Sequence, residues 1–114
     1  MGSSSRQRDE ELVKWKPGAE DLISRNLQGY MQILEVRADG RAKTTKLFKL
    51  EAYLKILADN IEFKEVTTLE DKRNLLYRAG FTRLKLYKRQ DIHSFRRALA
   101  AEVRRYSKFQ TEDY

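Results

Sequence analysis

Ile92, Phe95, Leu99, Val103 and Tyr106 recur at intervals of 3, 4, 4 and 3 residues. Only an α-helix gathers such a series onto one side, and a helix with one apolar stripe must bury it against other elements. The chain is therefore expected to fold around a last helix, capped by Asp91 and running through Ser107.

The rest of the sequence supplies the packing partners. Leu22, Ile23 and Leu27 keep helical spacing from Ala19 to Gln28, and Gly29 reads as a terminator. Tyr30–Arg37 and Arg41–Phe48 read as two strands around Asp39-Gly40, a strong short-range hairpin signal. Leu27, Tyr30, Met31 and Leu34 also fit a helix continuing through Gly29, but the hairpin is the expectation carried forward. Leu50, Tyr53, Leu54 and Leu57 predict a helix over 50–59, and Ile61–Val66 alternates as a short strand. Thr67 and Glu70, three apart, open a further helix by a capping box; it ends at Ala79, before Gly80. Phe81–Lys88 alternates again. Between the N-terminus and Pro17-Gly18, Asp9–Lys16 is a helical turn or an arm anchored only by Val13 and Trp15.

The element order is thus α-β-β-α-β-α-β-α. It implies an α+β fold with a small, largely antiparallel sheet that includes a β-hairpin at about 30–48. Three to four helices pack with it, the longest at the C-terminus. At 114 residues the chain is read as one domain over 9–108, between a flexible leader at 1–8 and a tail at 109–114. A chain of this size buries roughly two-thirds of its extended surface, enough for a core without disulfides. It holds no cysteine, so thiolate metal sites are excluded and a reducing, cytoplasmic or nuclear setting is expected. No apolar run is long enough for a membrane span, and no membrane partner is expected. The five glycines form no phosphate-binding loop, and no cofactor is implied.

Charge narrows the function. Phe81–Lys108 carries nine Lys or Arg against Asp91 and Glu102, a local charge of +7 equal to the net charge of the whole chain. A concentrated cationic surface suits a polyanion, because neutralising phosphates releases condensed counterions. On the last helix His93, Arg97, Arg104 and Lys108 share a narrow sector away from the apolar stripe. Arg96 and Arg105 flank that sector, and the small Ala100 and Ala101 should let a phosphate chain approach. If Leu84 and Leu86 face inward, Arg83, Lys85 and Tyr87 project together, with Arg89 following. Tyr87 or Tyr30 would then stack on an unpaired base. Arg37, Arg41, Lys43, Lys46 and Lys49 make the expected hairpin a basic ribbon, to which Thr44 and Thr45 could add hydroxyl contacts.

The expected class is a nucleic-acid-binding protein, for DNA or RNA, without catalysis of its own. A rival class is an interaction module, such as a small viral or phage regulator, docking its basic face on an acidic protein. A homodimer would enlarge either footprint. A third class, a Mg²⁺-dependent nuclease, rests on Glu62-Phe63-Lys64, an acid-x-Lys element that needs a second carboxylate nearby. His93, the single histidine, has no carboxylate or nucleophile at a spacing that would make it a general base.

Overall fold

The computed structural model describes residues 9–41, 43–84 and 91–112. After a helical turn at 9–12, the elements are β1 (Val13–Trp15), α1 (Glu20–Ala38), α2 (Thr44–Asn60), β2 (Ile61–Phe63), α3 (Leu69–Leu84) and α4 (Ile92–Glu112). The protein is mostly helical, with one two-stranded antiparallel sheet. In coarse outline that is the expected α+β class, but the sheet is smaller and its first strand comes from elsewhere. α1 and α4 are of similar length, 19 and 21 residues, so the C-terminal helix does not stand apart. Among the described residues no helix is long and apolar enough to cross a membrane.

The hairpin expected over 30–48 is absent. α1 passes through Gly29 and buries Ile23, Leu27, Tyr30, Met31, Ile33 and Leu34. Asp39-Gly40 serves instead to end the helix: Gly40, at φ +78°, donates its N–H to Arg37 O at 2.9 Å. Arg41 N–H reaches back to Val36 O at 3.3 Å, completing a Schellman motif. The chain then reverses into α2, whose Leu50, Leu54, Leu57 and Ala58 are buried against α1 and α3.

Neither of the two helical glycines is a terminator. A Cβ on Gly29 would lie 2.6 Å from the Tyr53 ring, and one on Gly80 would overlap Leu34 and the Tyr30 hydroxyl. Their role is close approach between helices. α3 accordingly runs through Gly80 to Leu84, so the strand expected from Phe81 is helical over its first four residues. The rest of that segment, 85–88, lies outside the described residues.

Other elements match their sequence signals more closely. α3 is capped by Thr68, one residue later than the box expected at Thr67. Its Oγ1 accepts from Asp71 N–H at 3.3 Å and donates to the Asp71 carboxylate at 2.7 Å. Tyr106 Oη donates to the same carboxylate at 3.1 Å, tying the end of α4 to the start of α3. Burial, then this bond, raises the Tyr106 pKa. Asp91 caps α4 by accepting from Ser94 N–H at 2.6 Å. The apolar stripe of α4 packs as read, with Phe95, Leu99 and Val103 fully buried and Ile92 and Tyr106 half-buried.

The core lies where the four helices meet. Tyr30 and Phe95 pack edge to face, 5.9 Å between ring centres and 61° between planes. The Tyr30 hydroxyl donates to Leu76 O, and burial raises its pKa well above the usual value, so it stays a neutral donor. Fully burying side chains of this size stabilises the fold by about 1.5–3 kcal/mol each. β1 closes one side of the core: Val13 pairs with Phe63, Lys14 with Glu62 and Trp15 with Ile61. Lys16-Pro17-Gly18-Ala19 then turns the chain into α1, with Ala19 N–H bonded to Lys16 O at 3.0 Å.

Candidate functional site

The connection between α1 and α2 concentrates free cations. The Schellman motif ends α1 just after Arg37 and exposes Arg41. Lys43 stands at the N-cap of α2, and Lys46 and Lys49 follow on its exposed surface. No acidic residue lies in the first turn of α2. Among the described residues no carboxylate is within ion-pair distance of Arg41, Lys43, Lys46 or Lys49. These residues lie on the connection between two helices rather than on the expected β-ribbon.

Arg37 is committed differently. Its guanidinium lies 5.6 Å from the centre of the Tyr77 ring, and Nη1 donates to Tyr77 Oη at 3.3 Å. Tyr77 in turn stacks on Phe81, with planes 7° apart and centres 6.2 Å apart. Nearby, Arg73 pairs with Glu51 across α2 and α3, so these charges cancel and bound the basic patch on that side.

An exposed aromatic side chain projects from α2 beside the patch. Because Leu50 sets the buried line of α2, Phe48, two residues earlier, is turned about 200° around the helix and points outward. It is 72% exposed, and Leu47 beside it is 37% exposed. Thr44, Thr45 and Ala52, one turn before and after, are small and exposed, and Glu51, also one turn on, pairs with Arg73. Lys49 and Lys55 flank this surface, both exposed. The sequence pattern had placed Phe48 only as the end of a strand; helical phase relative to Leu50 was the signal that could have found it.

The last helix is less open than its charge implied. Arg96 lays its guanidinium 4.7 Å from the centre of the Trp15 ring, and its Nε is buried without a hydrogen-bond partner. Arg104 pairs with Asp9 at 2.5 Å and Arg105 with Glu102 at 3.7 Å. Ala100, expected to admit a phosphate chain, is fully buried. His93, Arg97 and Lys108 remain exposed around this covered centre. Arg83 belongs to the last turn of α3, while Lys85, Tyr87 and Arg89 lie outside the described residues. Tyr30, the alternative base contact, is fully buried and cannot stack on a base.

Glu62 and Lys64 are exposed on and just after β2, with Glu62 directly opposite Lys14. Among the described residues no three His, Asp or Glu side chains converge as metal ligands.

No protein-family model, curated protein or solved structure matches the chain. Its functional reading rests on its own residues.

Proposed function

We propose that this is a nucleic-acid-binding protein without catalysis of its own, gripping phosphates with the α1–α2 connection. One observation carries the reading: Arg41, Lys43, Lys46 and Lys49 are exposed and have no carboxylate partner among the described residues. Elsewhere Arg73, Arg104 and Arg105 are held by acids and Arg96 by an indole ring. Unpaired cations bring their full charge to a phosphate chain, and each phosphate neutralised releases counterions. Arg37 edges the patch, and Arg97 and Lys108 offer separate contacts on α4.

Fluorescence anisotropy with a labelled oligonucleotide of about 16 nucleotides, a small-domain footprint, tests the proposal. The wild type should bind at low salt with log K falling linearly against log salt. Lys43→Glu/Lys46→Glu should lose about tenfold or more. No binding by the wild type at low salt, or equal binding by the charge-reversed variant, would refute it.

A second reading, docking on an acidic protein, is favoured by Leu47 lying exposed beside the cations. A stoichiometric acidic protein that co-purifies with the wild type, is released by Lys43→Glu/Lys46→Glu, and comes without nucleic-acid absorbance would select it.

A further inference from the structure

We infer that the nucleic acid is taken as a single strand, with Phe48 as the platform on which an unpaired base stacks. This deepens the reading above and rests on it. The observation is a lone ring, 72% exposed, on the helix whose start carries the unpaired cations. Leaving a phenyl ring in water forgoes the burial that the same side chain would gain in the core. Of the neighbours one turn away, Thr44, Thr45 and Ala52 are too short to cover it, and Glu51 is drawn to Arg73.

The surroundings match a nucleotide in polarity as well as shape. Lys55 stands two turns along α2 on the side of the ring, Lys49 is about 100° round from it, Lys43 and Lys46 stand on the far side at the helix start, and the Thr44 and Thr45 hydroxyls can donate to phosphate oxygens. A base laid on the ring would have its own phosphates nearest Thr44, Thr45 and Lys55, which share its side of the helix. In a duplex both faces of every base are already stacked, so the ring has nothing to receive there. Stacking therefore favours unpaired strands, while the lysines alone would accept either form.

Other occupants fit less well. Among the described residues Phe48 is the most exposed large apolar side chain, with Leu47 beside it at 37% and Leu69 on α3 at 45%. Two side chains are a small apolar face for a helix that inserts into a bilayer surface, where a broad apolar stripe is the rule. A stable protein interface covers roughly 800 Å² per partner around a desolvated apolar centre; charge predominates here.

The test compares a labelled mixed-sequence single strand with its matched duplex at one low salt concentration, for wild type, Phe48→Ala, Phe48→Trp and Lys43→Glu/Lys46→Glu. Phe48 makes no core contact, so its variants should fold, and thermal melting confirms this. Wild type should prefer the single strand. Phe48→Ala should weaken that affinity about tenfold with duplex binding changed less than about twofold. Phe48→Trp should retain it, with indole fluorescence quenched on binding beyond the change seen in wild type. Lys43→Glu/Lys46→Glu should lose both ligands.

If Phe48→Ala leaves the ratio of single-strand to duplex affinity unchanged while the lysine variant loses binding, the stacking inference fails and phosphate binding stands. If wild type binds neither form, the underlying reading fails too. Binding to phosphatidylserine vesicles that depends on Phe48, without oligonucleotide binding, would overturn both in favour of a lipid surface.

Discussion

Arg96 covers the Trp15 ring, its guanidinium carbon 4.7 Å from the ring centre, and thereby pins β1 to α4. Sequence alone offered Arg96 as a phosphate contact; its neighbour is an aromatic face. A partly desolvated cation–π contact with its alkyl stem packed alongside contributes about 1–2 kcal/mol. Arg96→Ala should lower urea stability by that amount and shift the emission of Trp15, the single tryptophan, to the red. Arg96→Lys should recover only part, since the planar guanidinium stacks and an ammonium does not. An unchanged midpoint and emission in Arg96→Ala would remove this contact from the account of stability.

Gly29 and Gly80 give a prediction whose sign is informative. In an exposed helix Gly→Ala stabilises by about 1 kcal/mol. Here the added methyl at Gly80 meets two buried side chains, Leu34 and Tyr30, and at Gly29 it meets the half-buried Tyr53 ring. Gly80→Ala should destabilise by about 2–3 kcal/mol. Gly29→Ala should cost about 1 kcal/mol, because Tyr53 can swing outward. Thermal or chemical denaturation measures both.

Asp91 gives a pH signature. Its carboxylate accepts from the Ser94 amide, and this bond holds its pKa below the usual carboxylate value, aided by His93. A depressed folded-state pKa means stability present above the unfolded value and lost as pH falls through the folded one. Asp91→Ala should cost about 1 kcal/mol at neutral pH. The stability curves of the variant and wild type should converge as the solution is acidified below the ordinary Asp range.

Salt dependence separates free from committed cations. Lys43→Ala and Lys46→Ala should each lower the slope of log K against log salt by about 0.7 on single strands. Arg104→Ala should leave the slope unchanged, since Asp9 already holds that guanidinium. Its effect should appear as looser anchoring of the segment before β1, read by proteolysis.

Much of the helical framework was legible. The α4 stripe, the Asp91 cap, the buried line of α2 and the start of β2 follow from periodicity and capping chemistry that act locally. The 30–48 segment departs from the hairpin expectation because an Asp-Gly pair suits both a hairpin turn and a Schellman motif, which needs positive φ at Gly40 alone. Packing at Gly29 and Gly80 decided between them, and that information lies on other helices. β1, with three residues, is too short to show a period. The cations themselves could be counted from sequence, but the Arg104–Asp9 pair joins residues 95 apart. Which charges remain available is a tertiary property.

The pairing of Val13–Trp15 with Ile61–Phe63 also fixes an order of events during synthesis. The strand leaves the ribosome ahead of its partner, which is made some fifty residues later, and the helix that packs on it comes after that. Until then Val13 and Trp15 travel as bare apolar side chains on a nascent chain. The first of these two strands to emerge waits on the second to be set in place.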